Sequence, residues 1–383
     1  MSIAEVTNCK FESAAATRPL RVCHVSLTLK TGGLERLLAD IARHSDGERC
    51  QPEFLALSEV GRFADVIRET GCAVHTLRPA GRIGQLRQMV RLFSSGHFDV
   101  VHTHNTYPHI HGSIAARLAR VPIVVNTRHG QRAGHGWKSR TQFRWASHLV
   151  DRVIAVSDDA AALCVQADGL AKKKVCRIWN GIDIDDFQFC GPAQTPTAIS
   201  VARLSAEKDF PTLLRAMSLA VQQIPDLQLI LVGDGPERNK LEQLVQELRL
   251  DHHVRLLGER TDVPLLLAQA GFFVTSSLTE GISLTLLEAM AVGLPVIATA
   301  VGGNSEIVDP PHTGRLVSAG DPAGLAAAMV DLCRQPQQWS GMGRAGRDRV
   351  EEHFEVRRMV TDYEQLYRDL LSARTSHRKS GNH

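Results

Sequence analysis

At 383 residues the chain is too long for a single hydrophobic core and suits two domains. Its 43% hydrophobic and 22% charged residues are ordinary for a soluble globular protein, and a net charge of +3 is too small to argue for nucleic acid as a partner. Eight scattered cysteines without a CxxC pair argue against a disulfide frame or a zinc site, and point to free thiols in a reducing, cytoplasmic compartment.

Residues 1–19 read as an N-terminal extension with no apolar run long enough for a signal peptide. LRVCHVSLTL (20–29) is a predicted strand that leads through Thr31-Gly32-Gly33 into the helical LERLLADIARHS. EFLALS (53–58) is a second strand, followed by helical ADVIRETG and a short AVHTL. GQLRQMVRLFSSG has an amphipathic helical period, DVVHTHN (99–105) is a strand and IHGSIAARLAR a helix. VPIVVNTR (121–128) is a further strand, and HLVDRVIAVS closes this half.

An irregular, Pro-containing stretch, NGIDIDDFQFCGPAQTPT (180–197), then breaks the rhythm. It resumes with AISVARL, LQLILVGDG, HVRLLGE, FFVTSS and PVIATAVGG, each followed by a turn and a helix. HFEVRRMVTDYEQLYRDLLSAR is a last helical stretch. Strands alternating with helices imply parallel sheets covered on both faces. The predicted fold is α/β, with two facing Rossmann-like doubly wound domains and an interdomain cleft. Expected boundaries are 20–185 for the first domain, 186–197 for the linker and 198–350 for the second. Residues 351–375 form a C-terminal helix able to cross back to the first domain, and 376–383 a disordered tail. No window approaches the length of apolar chain that a membrane-spanning helix needs.

Ligands of open parallel sheets bind beyond the carboxyl ends of the strands, so the residues there are the candidates. Gly32 and Gly33 open a helix directly after the first strand, where backbone N–H groups can meet an anion; a tight turn is the plainer alternative. His102 and His104 share one strand face with His109 and His111 close behind, which raises a metal site, but no acidic or cysteine ligand stands nearby. His129 follows a central strand and is the better candidate for a polar contact in the cleft, with a satisfied core histidine as the alternative. Arg203 and Lys208 follow the first strand of the second half, and a planar fork plus a point charge suit a diphosphate. A solvated loop pair is equally compatible. LVGDGPER, with Gly233, has part of a dinucleotide fingerprint but lacks its last glycine, so a sharp strand-to-helix turn is the safer reading.

Glu280 and Glu288 stand eight residues apart in TEGISLTLLEAMAVGLPVIAT (279–299). If 283–292 is helical, eight residues correspond to about 12 Å of rise and roughly 80° of rotation. That is wider than the ~5–9.5 Å spacing of a glycoside-cleaving acid pair. The two acids instead suit opposite ends of one extended ligand, such as a nucleotide sugar, with the helix N-terminus meeting its diphosphate.

The set Gly32-Gly33, His129, Arg203 with Lys208, GDGP, EGISLTLLE and GGNSE resembles the family 4 retaining glycosyltransferases (glycosyltransferase group 1) with the GT-B arrangement. The resemblance covers about residues 20–370. It implies that Arg203 and Lys208 hold the diphosphate and Glu288 the ribose hydroxyls. Glu280, with the backbone of Gly281, Ile282, Ser283 and Leu284, would hold the donor sugar and phosphate. His129 would contact the donor sugar and Gly33 approach the phosphate. Glu280, His129, Arg203 and Lys208 form the implied catalytic set. GGNSE departs from the usual GGxPE in having Ser305 before Glu306, a small change in a turn.

The implied activity is a hexosyl transfer from a nucleotide-diphosphate sugar to a glycan or lipid-linked acceptor, in bacterial cell-surface polysaccharide or exopolysaccharide synthesis. Cations and a helix N-terminus stabilise the leaving diphosphate, whose oxygen takes the acceptor proton on the same face, so that configuration is retained. No cofactor and no metal are expected, because no DxD pair stands beside the donor motifs. A non-catalytic nucleotide-sugar-binding protein and a two-domain sugar-nucleotide epimerase are the alternatives. Residues 128–152 carry Arg128, Arg132, Lys138, Arg140, Arg144 and Arg152 against Asp151, interleaved with Trp137, Phe143 and Trp145. Such a face suits a peripheral contact with the anionic inner surface of the cytoplasmic membrane; a solvated helix with its aromatics packed inward is the alternative.

Overall fold

The computed structural model describes residues 18–30, 32–130 and 137–380. Thr31, Arg132, most of the N-terminal extension and residues 381–383 lie outside the described residues. The chain divides into two units, Met1–Gly181 with Val356–His383, and Ile182–Glu355.

The first unit holds a seven-stranded sheet in the order β3-β2-β1-β4-β5-β6-β7. Its strands are β1 (Leu20–Ser26), β2 (Cys50–Ala56), β3 (Val74–Thr76), β4 (Val100–His104), β5 (Ile123–Arg128), β6 (Arg152–Ala155) and β7 (Val175–Arg177). Every pairing is parallel. Both faces are buried, which is why β4 and β5 contain no exposed position. Side-chain alternation sends Val22, Val100 and Val125 to one face and Cys23, Val101 and Val124 to the other. The first face lies under the helices Gly33–His44 and Val356–Ser380, the latter contributing Met359, Val360, Tyr363 and Tyr367. The second face packs against Met89, Phe93, Ala115 and Phe143.

The second unit holds a six-stranded parallel sheet in the order β10-β9-β8-β11-β12-β13. These are β8 (Thr197–Val201), β9 (Gln228–Val232), β10 (Val254–Leu256), β11 (Phe272–Thr275), β12 (Val296–Thr299) and β13 (Gly314–Val317). Its core joins Leu213, Met217, Leu229, Leu231, Phe272, Met329 and Trp339.

Three boundaries differ from the sequence expectation. The stretch read as a linker packs onto the second unit from Ile182 onward: Phe187 is buried, and the amides of Cys190 and Gly191 each donate to Val292 O at 3.0 Å. Irregular backbone with satisfied hydrogen bonds is a packed segment, which composition alone does not reveal. The expected helix at 351–375 is interrupted by Phe354 and Glu355, which separate the helices Trp339–His353 and Val356–Ser380. The second of these runs to Ser380, into the stretch expected to be a disordered tail.

Candidate functional site

In each sheet the chain works outward from its first strand, then returns to that strand's other side. The switch points are therefore β8/β11 in the second unit and β1/β4 in the first. The crevice beyond such strand ends is where ligands bind.

In the second unit three loops converge on the end of β8. Beyond β9 the GDGP turn lies against 202–204: Ala202 N donates to Val232 O and Leu204 N to Asp234 O, both at 3.0 Å. Gly233 has φ 133°, and a Cβ there would fall 2.0 Å from Ala202 O, so only glycine fits. Beyond β11, Leu278 N donates to Glu207 O at 2.9 Å, and Ser276 Oγ lies 2.9 Å from the carbonyl oxygens of both Lys208 and Asp209. At the end of β12, Thr299 Oγ1 donates to Ser277 O at 2.6 Å, and beyond it Gly303 N donates to Gly281 O at 2.8 Å. A Cβ on Gly303 would stand 2.3 Å from Gly281 O, which explains a glycine in GGNSE.

These ties bring Lys208 and Glu280 together. Lys208 Nζ donates to Glu280 Oε1 at 2.5 Å, and Ser277 Oγ donates to the same oxygen at 2.7 Å. Both side chains are largely buried, so their pairing is firm compared with a surface ion pair. Two donors on Oε1 hold the carboxylate in one orientation. Arg203 is exposed just beyond β8, on the same loop as Lys208.

The helix beyond Glu280 spans Leu284–Val292. Glu280 to Ser283 are not helical, so the 12 Å and 80° expectation does not apply to the acid pair; Ser283 is extended at φ −78°, ψ 104°. Its side chain caps no amide of the first turn, which leaves that end open to an anion. Gly281, Ile282 and Ser283 are buried, as is the Glu288 side chain inside the helix. Ser277 had no sequence signal: it is one serine of a Ser-Ser pair, and only the strand end turns it toward Glu280. The DID at 183–185 makes a local turn, Asp183 Oδ1 accepting from Asp185 N at 3.1 Å.

The switch point of the first unit is lined by uncharged histidines. His24 on β1 pairs in register with His102 on β4, and His104 follows on the same face. His24 Nδ1 stands 3.0 Å from His104 Nε2, and His104 Nδ1 stands 2.9 Å from His129 Nε2. His102 is tied separately, Nδ1 to Tyr367 Oη at 2.7 Å and Nε2 to Thr127 Oγ1 at 2.6 Å. Burial pushes His24 and His129 down to about 3 and holds His102 and His104 well below the ordinary imidazole range. All four are neutral at physiological pH.

Ring nitrogens of His24, His102 and His104 lie within 4.8 Å of one another, close enough for a metal. Both nitrogens of His102 and of His104 already bear hydrogen bonds, which a metal would have to break. His109 is not part of this group: its Nε2 stands 3.1 Å from Ser147 Oγ, while His111 packs on Tyr107. His24 was absent from the sequence candidates because 80 residues separate it from His104.

Gly32 takes φ 156° and precedes the helix Gly33–His44. A Cβ there would meet Glu35 Oε2 at 2.4 Å, and Glu35 accepts from Thr28 Oγ1 at 2.7 Å. A carboxylate of the chain itself thus stands at this helix N-terminus.

The basic stretch 128–152 is divided in two. Arg128 is buried in an ion pair with Asp168, its guanidinium 5.4 Å from the Phe143 ring centre, and Phe143 is core. Those two residues cannot serve an outer face. On the helix Trp137–Ser147, Lys138, Arg140 and Arg144 are exposed, with Trp137 at 73% and Trp145 at 54% exposure.

Comparison with known proteins gives the family of the chain. The family profile "Glycosyl transferases group 1" matches residues 183–349, and "Glycosyltransferase Family 4" matches 31–186. The chain is 30% identical over 304 residues to the N-acetyl-alpha-D-glucosaminyl L-malate synthase of Bacillus anthracis, covering 74% of this chain and 78% of that protein. It is 27% identical over 380 residues to the UDP-Gal:alpha-D-GlcNAc-diphosphoundecaprenol alpha-1,3-galactosyltransferase of Escherichia coli, covering 92% and 97%. The fold is shared with Anabaena HepE, solved with UDP and glucose, at TM-score 0.80 and 24% identity over 91% of this chain and 100% of that one.

Proposed function

The chain belongs to the family 4, group 1 glycosyltransferases, and we propose that it moves a hexosyl group from a nucleoside-diphosphate sugar to a glycan or lipid-linked acceptor in polysaccharide assembly. The observation that carries this reading is the Lys208–Glu280–Ser277 cluster at the β8/β11 switch point. It sets a cation, an oriented carboxylate and an open helix N-terminus beside one another. A binding protein needs none of that to be arranged for a leaving group, and the relatives are transferases and synthases.

Arg203 and Lys208 take the diphosphate, Glu288 the ribose hydroxyls, and Glu280 with the backbone of 281–284 the sugar and phosphate. Glu280 Oε1 is already occupied by two donors, so Oε2 is the oxygen left for a sugar hydroxyl. His129 meets a sugar hydroxyl as a neutral imidazole. In the transfer the acceptor hydroxyl oxygen bonds to the anomeric carbon as the bond to the diphosphate oxygen breaks. The proton passes to that departing oxygen on the same face, so configuration is retained. Lys208 and Arg203 stabilise the charge on the leaving diphosphate, a task that in other enzymes falls to a metal.

The Escherichia coli relative uses a UDP-sugar and a diphosphoundecaprenol acceptor, which makes UDP-hexoses and undecaprenyl-linked sugars the first substrates to try. A lipid-linked acceptor fits a peripheral contact through Trp137, Lys138, Arg140, Arg144 and Trp145 with an anionic membrane. Among the described residues no helix is long and apolar enough to cross a membrane.

The test is to incubate the chain with a panel of nucleoside-diphosphate hexoses and lipid-linked acceptors. Release of free nucleoside diphosphate coupled to a glycosylated acceptor supports the proposal. An intact donor, or a donor whose sugar has been epimerised, contradicts it.

A further inference from the structure

The histidines of the first unit are more than a buried polar patch. A neutral imidazole has one N–H and one lone pair. His104 uses both nitrogens, Nε2 toward His24 Nδ1 at 3.0 Å and Nδ1 toward His129 Nε2 at 2.9 Å. Each contact needs one proton, so only two arrangements satisfy both. In one, His24 donates to His104 and His104 donates to His129, which leaves the His129 proton on Nδ1. In the other the direction reverses, and His129 Nδ1 is a bare acceptor. A mixed arrangement sets two protons, or none, between a pair of nitrogens. The tautomers of the three rings are therefore linked, and the state of His24 deep in β1 decides what His129 offers.

The surroundings restrict the rings further. His24 and His104 are fully enclosed, and desolvation disfavours a second N–H proton on either. His102 lies beside them but is spent on Tyr367 and Thr127, so it is packing around the row and not a branch of it. The His129 backbone is held as well, its N–H donating to Asn105 Oδ1 at 3.1 Å.

We propose that His24 and His104 are positioning residues for His129. They keep its Nε2 turned into the unit, leave Nδ1 as the nitrogen that meets a sugar hydroxyl, and fix whether that nitrogen donates or accepts. The proposal rests on the reading that His129 touches the sugar, and the experiment separates the two.

The direct observation is a two-bond nitrogen–nitrogen coupling across each N–H···N contact, measured on the full wild-type chain labelled with ¹⁵N-histidine and assigned with single His→Gln variants. Couplings are expected for the His24–His104 and His104–His129 pairs, with one His129 tautomer. The kinetic arm compares His104→Leu, His129→Ala and the double variant. Misplacing one contact of a reacting sugar costs on the order of tenfold to a hundredfold in turnover. The expected result is a loss of that size in kcat for each single variant, no further loss in the double variant, and little change in donor KM. His104→Asn, which keeps an amide near the Nδ1 position, should recover part of the loss.

Absent couplings in a folded chain would overturn the proposal without touching the sugar reading. So would losses that multiply in the double variant. Wild-type turnover in His129→Ala with both couplings present would overturn the sugar contact, and the positioning role with it.

Discussion

The two switch points are built from the same strand-and-turn plan and differ in charge. At β8/β11 the second unit sets Lys208 against Glu280 with Arg203 exposed on the same loop. At β1/β4 the strands of the first unit carry neutral imidazoles, hydrogen-bonded to one another and to tyrosine and threonine. A diphosphate leaving group needs formal charge, because negative charge grows on it during transfer. Sugar hydroxyls need directed donors and acceptors, which neutral imidazoles supply without an ion that must be desolvated. On the proposed reading, charge in the second unit suits the leaving group and neutral imidazoles in the first suit hydroxyl recognition.

The largest expected effect sets the two units apart by pH. His24, His102, His104 and His109 are buried in the first unit, while no described histidine of the second unit is buried. Their folded-state values lie below the unfolded value of 6.5, to about 3 for His24 and His109. The unfolded chain therefore takes protons first, and stability is full above 6.5 and falls as pH drops toward 3. Each such group removes up to about 1.4 kcal/mol per pH unit in that window. Amide exchange at pH 7 and pH 5 should show first-unit amides losing protection before those of the second unit. Loss in the reverse order would break the contrast.

Lys208→Ala should lower kcat by about a hundredfold to a thousandfold, the scale of removing one group that stabilises leaving-group charge. Donor affinity should fall less, which separate measurement of Kd and kcat would reveal. Unchanged turnover would remove Lys208 from the chemistry.

A smaller effect concerns the exposed face of the first unit. Neutralising Lys138, Arg140 and Arg144 together should weaken partition onto anionic vesicles about a hundredfold, at about 1 kcal/mol per cation. Binding of nucleoside diphosphate should not change. Equal sedimentation of variant and wild type at low salt would return this face to solvent. The smallest expected effect is none: on the proposed reading Arg203 and Lys208 supply the positive charge, so excess EDTA should leave turnover intact. Loss restored by magnesium or manganese would contradict this.

Much of this arrangement was legible in the sequence because it is local. The strand–glycine–helix turns at Gly32 and Gly233, and the apolar run from Leu284 to Val292, follow from adjacent residues. Lys208 was flagged by its place after a strand and Glu280 by its spacing from Glu288, but their pairing is a product of the sheet, which brings together loops 72 residues apart. His24 escaped notice for the same reason, and Ser277 because nothing in a Ser-Ser pair three residues before Glu280 marks it. Arg128 looked like part of a basic surface because a charge count along the chain carries no depth; only β5 and the Asp168 partner bury it. The segment after Ile182 read as a linker from its prolines, although its backbone amides are bonded into the second unit.

The central claim is that Lys208 and Arg203 drive off a diphosphate while the acceptor attacks from the same face. Proton NMR of the first product formed from a nucleoside-diphosphate hexose tests it most directly. The account predicts release of the nucleoside diphosphate and a new linkage with the donor's anomeric configuration. An inverted linkage would contradict it and would require a carboxylate base elsewhere in the chain.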